Sequence, residues 1–390
     1  MENATNIVSV SWGDHLVFGE GNGRLDSYEA LEERMIRWRD DLGATIIQWR
    51  TPTSKLNGRH YKARGYPRTI EERQAVELDF SHIVPQMAHE LKMRAYLYVS
   101  IFDEGRPLLP KKIREVSYHN AMHGQHISWQ SDFSRRHPEY AITDRSGKIR
   151  QWGVLCLAYP EVRRHLRQRF ERLLDGTDFD GLFVCLRSQS RPADFADQYG
   201  FNDPIRRDYL RLYDRDIRKE DFDIQLWRDL MGEYLTGFLG ELRRDLDLEK
   251  LRLSVGCARG DVLGPPLGNT TLQWREWIQQ GIIDELVINQ NSSQCPSMWH
   301  HLWPMHRGNG YLQNYIDGYN LPQLNEHMTG NYAPALRSNM TTKFYIARQW
   351  DEPSKSEEEA LLSIPGVSGL VFSSFRFDNP EAVTKGNWVA

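Results

Sequence analysis

The feature that most constrains this sequence is a regular alternation of short apolar runs with amphipathic stretches. Eight runs rich in β-branched and other apolar residues each end in turn-forming residues. They cover residues 6–11, 44–49, 94–102, 181–186, 251–257, 285–289, 343–349 and 367–373. Helical patterns lie between most of them, over about 27–41, 80–91, 160–174, 223–245, 274–280 and 356–362. This alternation indicates parallel strands covered by helices, and eight such strands are enough to close a (β/α)8 barrel.

The main alternative is an open, doubly wound sheet, in which a glycine-rich phosphate turn would follow the first strand. The residues after the first run are Trp12-Gly13-Asp14-His15, which do not form such a turn. We therefore predict a single α/β domain over residues 1–390, a (β/α)8 TIM barrel with long insertions over about 105–154 and 290–342. Connections of that length are commonly functional, so we expect these segments to cover the active site.

Charge and composition limit the classes of partner that we expect for this protein. The net charge of −4 gives no bulk attraction to nucleic acid or to an anionic membrane, and we expect neither as a partner. No apolar run is long enough to cross a bilayer, and residues 1–8 do not resemble a leader. The four cysteines lack zinc-ribbon spacing. We expect a cytoplasmic enzyme without a cofactor; removal of a leader would make a periplasmic or secreted location equally compatible. Aromatic loops leave a homodimer open.

Arginine lies at the carboxyl end of five of the eight predicted strands. These residues are Arg50, Arg187, Arg259, Arg348 and Arg376, with Arg191 just beyond Arg187. The active site of a (β/α)8 barrel lies at the carboxyl ends of its strands. The pattern therefore predicts a cationic mouth that binds a carboxylate, sulfate or phosphate through the planar guanidinium groups. The alternative is that these arginines pair with neighbouring acids and only stabilise the rim.

Pairs of acids follow two of the strands. Asp103 and Glu104 come directly after the third, and Asp351 and Glu352 follow the seventh. Cleavage of a glycosidic bond needs two carboxyl groups, one to protonate the leaving oxygen and one to act as nucleophile or to activate water. The third and seventh strands of such a barrel lie opposite one another, so the pairs are candidate catalytic residues. The alternative is that they cap helices or balance the arginines.

Amide, imidazole and indole groups near the strand ends are further candidates for sugar contacts, because they pair with hydroxyl groups or stack on rings. They are Trp12, His119, His123, Trp129, Gln189, Asn289, Gln290 and Trp350. His119 and His123 have the spacing of two metal ligands on one helical face, but Gly124 interrupts a helix there and no H-E-x-x-H pattern is present. We therefore predict no metal site.

Several segments resemble the family-10-like glycosyl hydrolases, a broad set of barrel proteins. The resemblance is carried by residues 96–105, which end in Asp-Glu-Gly, and by the runs at 137–140, 157–163, 180–182 and 373–378. It implies a (β/α)8 barrel that hydrolyses glycosidic bonds. Many barrel glycosidases have an Asn-Glu acid/base at the fourth strand, whereas this strand ends Cys185-Leu186-Arg187-Ser188. The proton donor would then be Asp103 or Glu104.

Three hypotheses follow from the sequence. The first is a glycoside hydrolase acting on a uronate-containing or sulfated oligosaccharide, with Asp351 or Glu352 as nucleophile or base. The second is a lyase or isomerase of uronic acids on the same barrel mouth, with His119 or Tyr159 as the base. The third is a barrel that binds carbohydrate without turnover. Detection of a new double bond in the product separates the first two, and tight sugar binding without any product supports the third.

Overall fold

The structure is a computed structural model. It describes residues 5–10, 27–50, 58–62, 82–102, 104–105, 127–186, 198–263, 270–290, 322–337, 341–348, 354–374 and 376, with the backbone alone for 58–62 and 127–129. Within these ranges the chain forms a closed, eight-stranded parallel barrel. No helix in the described part of the chain is both long and apolar enough to cross a membrane.

All eight predicted strands are confirmed. The barrel strands are β1 (Asn6–Val10), β2 (Ala44–Arg50), β4 (Arg94–Ser100), β8 (Gly181–Cys185), β9 (Arg252–Gly256), β10 (Glu285–Ile288), β11 (Lys343–Ala347) and β12 (Gly369–Ser373). Their order around the barrel is β1-β12-β11-β10-β9-β8-β4-β2. The chain therefore closes the barrel where its last strand, β12, pairs with its first, β1.

Six predicted helices are also confirmed. They are α1 (Tyr28–Leu42), α2 (Ile83–Glu90), α4 (Pro160–Leu174), α6 (Ile224–Leu248), α7 (Trp274–Gln279) and α10 (Lys355–Leu362). The boundaries of α1 follow from its sequence: the Ser27 hydroxyl accepts a hydrogen bond from the amide of Ala30, and Gly43 ends the helix with a φ of 61°. The buried faces of these helices pack on the outward side chains of the strands and form the larger hydrophobic core.

Smaller elements decorate the barrel. They are β3 (Gly58–Lys62), which pairs antiparallel with β5 (Ile127–Ser131), β6 (Ala141–Thr143), which pairs antiparallel with β7 (Arg150–Leu155), and the helices α3 (Asp132–Arg136), α5 (Asp203–Tyr213), α8 (Leu324–His327) and α9 (Ala333–Leu336). Two strand pairs thus lie partly within the predicted 105–154 insertion. That this insertion and the one at 290–342 cover the active site stays a prediction.

Side chains of the barrel strands alternate between two environments. In β1, Ile7 faces the barrel interior while Val8 contacts the helix layer, and in β2 Ile46 and Ile47 divide in the same way. The interior cluster is completed by aromatic and aliphatic residues: Tyr96, Tyr98, Phe183, Cys185, Val287, Tyr345, Ala347 and Val371. The middle of the barrel is therefore a packed core rather than a pore.

A buried polar cluster closes the amino-terminal end of the barrel. Glu285, at the start of β10, is fully buried and accepts a 2.7 Å hydrogen bond from the Tyr96 hydroxyl. Arg94 donates to the same hydroxyl at 2.9 Å. Burial raises the pKa of the Glu285 carboxyl, and the hydrogen bond from Tyr96 opposes that rise. In barrels of this kind the ligand site lies at the other end, at the carboxyl ends of the strands.

The packing of α3 on α4 makes an acid-sensitive contact. The imidazole of His165 stacks on the Phe133 ring with 3.7 Å between centroids. Burial, with nearby Arg169, Arg172 and Arg136, lowers the pKa of His165 to about 3 from an ordinary 6.5. Between these values the unfolded chain binds a proton that the folded chain does not, so stability falls as the pH falls through this window.

We predict that His165→Phe removes this component of acid sensitivity while it keeps the ring stacking. The free energy of unfolding, measured in urea at several pH values between about 7 and 4, should fall less steeply for the variant than for the wild type. Parallel pH dependences for the two proteins would contradict the assignment.

Candidate functional site

The carboxyl ends of the strands form a mouth lined by polar side chains. Arg50, the last residue of β2, is buried, and its guanidinium carbon lies 5.3 Å from the centroid of the Tyr98 ring. Asn289 follows β10 with a φ of 66° and donates from its side-chain amide to the Ala347 carbonyl at 2.8 Å. Ser373, at the end of β12, is partly exposed. The mouth thus combines a cation, an amide and a hydroxyl on different strands.

The side chain of Gln290 lies against the carboxyl ends of β8 and β9. Its side-chain oxygen is 3.4 Å from the Cys185 sulfur, and its backbone amide donates to the Cys257 carbonyl at 3.1 Å. This position exists because residue 256 is glycine. A Cβ at Gly256 would lie 2.5 Å from Phe183 Cζ and 2.6 Å from the amide carbon of Gln290. The glycine therefore determines where the Gln290 amide sits.

We predict that Gly256→Ala destabilises the protein by about 1–3 kcal/mol, because the added methyl group must displace a buried ring or Gln290. The matched control is Gly237→Ala in α6, where a Cβ would meet nothing within 4 Å. In a helix this exchange stabilises by about 0.5–1 kcal/mol. Urea unfolding of the two variants should therefore show shifts of opposite sign, and equal shifts would refute the packing argument.

The arginines predicted at the strand ends divide into several groups. Arg348 donates to Glu357 at 2.7 Å, and Arg376 is paired with Glu358, so both contact α10. Arg259 is buried and donates to the Pro322 carbonyl at 2.8 Å. Arg50 stacks on Tyr98 as described. Arg348 and Arg376 therefore fit the alternative in which the arginines pair with acids and stabilise the rim. Their partners belong to α10 and are not the acids that directly follow the strands.

The predicted acids are placed only in part. Glu104 is fully buried, and its carboxylate is paired with Arg169 of α4, which also donates to the Ser100 carbonyl at 3.1 Å. This pair lies between the end of β4 and the helix layer. Asp103, Asp351 and Glu352 lie outside the described residues. The strands that precede them, β4 and β11, are four positions apart in both directions round the barrel, so the predicted opposition of these strands is confirmed.

Most of the other candidates also fall outside the described residues. They are Trp12, His119, His123, Arg187, Gln189, Arg191 and Trp350. Trp129 lies in β5, where its backbone is paired with that of His60. In the part of the chain that the structure describes, no three His, Cys, Asp or Glu side chains are grouped as metal ligands.

Two polar residues inside the barrel were not singled out from the sequence. Ser9 in β1 and Gln48 in β2 occupy inward positions, and both are buried. The sequence could have indicated them through the strand alternation, because every second residue of a barrel strand faces the interior. Apolar residues on both sides of each position concealed it, because strands that are buried on both faces are expected to be apolar throughout.

Comparison with known proteins gives likeness of fold alone. No family model and no curated protein sequence matches this chain. The solved structures that match include the galactosidase domain of an alpha-galactosidase-sucrose kinase, at 12% identity and a TM-score of 0.44 over 99% of this chain and 40% of that one. A beta-galactosidase from the psychrophilic Marinomonas ef1 matches at 10% identity and a TM-score of 0.42, over 74% and 41%. An Ostrinia furnacalis group IV chitinase matches at 12% identity and a TM-score of 0.35, over 73% of this chain and 50% of that one. The chain spans about two fifths of the length of the two galactosidase structures.

Proposed function

We propose that this chain is a glycoside hydrolase whose active site is the mouth at the carboxyl ends of the barrel strands. The observation that carries the proposal is the placement of β4 and β11 on opposite walls of the barrel. In the sequence, carboxylic acids follow both strands directly. Two acids that approach a glycosidic bond from opposite sides are the chemical requirement for its hydrolysis.

The contacts of Glu104 distinguish between the two acids that follow β4. A proton donor must reach the leaving oxygen, whereas Glu104 is fully buried and paired with Arg169. We therefore assign the role of general acid to Asp103, and that of nucleophile or base to Asp351 or Glu352. The separation of the two carboxyl groups then sets the outcome: about 5–5.5 Å for retention of configuration and about 6.5–9.5 Å for inversion.

The narrower part of the proposal is an acidic substrate. Arg348 and Arg376 are engaged by Glu357 and Glu358, so they contribute little net positive charge to the mouth. Recognition of a substrate carboxylate or sulfate would rest on Arg50 and on Arg187. Arg50 is buried at the mouth beside the Tyr98 ring, and guanidinium groups bind carboxylates through paired hydrogen bonds.

The experiment is incubation of the protein with a panel of neutral and acidic oligosaccharides, followed by mass spectrometry. Products that together gain one water identify a hydrolase, and restriction to acidic members supports the role of Arg50. Cleavage without added water would replace hydrolysis by elimination. A thermal shift with one sugar but no change in its mass would identify a barrel that only binds carbohydrate. The double variant Asp351→Asn/Glu352→Gln serves as the control for contaminating activity.

A further inference from the structure

A row of polar side chains crosses three neighbouring strands inside the barrel. Backbone register places Ser9 of β1 beside Gln48 of β2 on one side and Ser373 of β12 on the other. All three positions face the interior, because their neighbours Val8 and Ile47 face the helix layer. Ser373 is partly exposed at the mouth, so the row leads from solvent into the barrel.

The amide of Gln48 has no hydrogen-bond partner on either of its polar atoms, and the hydroxyl of Ser9 has none either. Gln48 is 0% and Ser9 1% exposed. Leaving such groups buried and unpaired costs free energy, and native proteins pair most of them with protein, water or ligand. Gln48 offers both a donor and an acceptor, which is the complement of a hydroxyl group.

The positions across the barrel are partly filled. On β9 and β11 the inward residues near this height are Gly256 and Ala347, and the Phe183 ring and the Gln290 amide occupy the space in front of Gly256. Phe183 and Val287 belong to the packed interior cluster. A group that pairs with Ser9 and Gln48 would therefore have to reach them from the mouth, where Ser373 is partly exposed.

We propose that Ser9 and Gln48 form a polar subsite inside the barrel that binds a hydroxyl group of a sugar. The inference rests on the proposed function, because it places part of the substrate below the catalytic acids. Gln48 accepts from the hydroxyl through its carbonyl oxygen or donates to it through its amide nitrogen, and Ser9 completes the contact. A water molecule has the same hydrogen-bonding chemistry, and the experiment separates the two.

The test compares Gln48→Met with Thr143→Val. Thr143 lies in β6, outside the barrel, and its hydroxyl is likewise buried without a partner. Both substitutions remove an unpaired polar group and nearly keep its shape, so both should raise the melting temperature. Affinities for glucose, galactose, N-acetylglucosamine and glucuronate are then measured by calorimetry and thermal shift. Ser9→Ala is a second variant in case Gln48→Met does not fold.

We expect Gln48→Met to lose about tenfold or more in affinity for the sugars that the wild type binds, while Thr143→Val keeps its affinity. Unchanged affinity in Gln48→Met and Ser9→Ala would assign the site to water, and a wild type that binds no sugar would also overturn the proposal. Hydrolysis of oligosaccharides is scored separately. If the wild type hydrolyses nothing but Gln48→Met loses sugar affinity, the proposed function fails and the subsite stands. If the wild type hydrolyses an oligosaccharide but Gln48→Met keeps its sugar affinity, the subsite fails and the proposed function stands.

Discussion

Replacement of Arg169 by Met is expected to destabilise the protein by about 3–5 kcal/mol. The reason is that Glu104 is fully buried and Arg169 neutralises its carboxylate. Without the arginine an uncompensated negative charge remains in the interior, which is among the costliest defects in a folded protein. The second carboxylate oxygen of Glu104 already lacks a hydrogen-bond partner. Guanidinium unfolding of the wild type and variant measures the difference.

Two matched proteins make this result specific. Arg135→Met breaks an exposed pair with Asp132, whose side chains are 36% and 39% exposed, and should cost at most about 1 kcal/mol. The double variant Arg169→Met/Glu104→Gln removes both charges and should regain part of the lost stability. If Arg169→Met were no more harmful than Arg135→Met, the buried pair of Glu104 and Arg169 would contribute no more to stability than an exposed ion pair.

The barrel was predictable because its strands are buried on both faces. Each appears in the sequence as a continuous apolar run, and parallel strands need helices between them, so runs and amphipathic stretches alternate. Helix α5 was not predicted, although Pro204 occupies its first turn. Asn202 before it does not cap the helix; its side chain bonds residues 141 and 143 of the β6–β7 pair. Contacts of that kind join distant segments and leave no local pattern.

The site was less predictable because a position after a strand does not determine a partner. The sequence predicted Arg348 and Arg376 at the carboxyl ends of the seventh and eighth strands, yet their carboxylate partners come from α10, which lies between β11 and β12. Glu104 is similar: its partner Arg169 is far along the chain. Ser9 and Gln48 were missed for the opposite reason, since each is a single polar residue in an apolar run.

The largest effect on activity is expected from the acids that follow β4 and β11. If the proposed function holds, Asp103→Asn and one of Asp351→Asn or Glu352→Gln should each lower kcat by a factor of about 10²–10⁴. Glu104→Gln serves as the matched neighbour, because it sits beside Asp103 but is held by Arg169. Its kcat should stay near that of the wild type in the fraction that remains folded. Circular dichroism and active-site titration give that fraction.

The pH profile then assigns the roles. A general acid must be protonated, so it controls the alkaline limb of kcat/KM, and a nucleophile or base must be ionised, so it controls the acidic limb. We expect Asp103→Asn to flatten the alkaline limb and the β11 variant to flatten the acidic one. If Glu104→Gln abolished turnover while remaining folded, Glu104 rather than Asp103 would be the acid, and its pair with Arg169 would have to open during catalysis. Loss of activity without a change in either limb would instead make these residues binding groups.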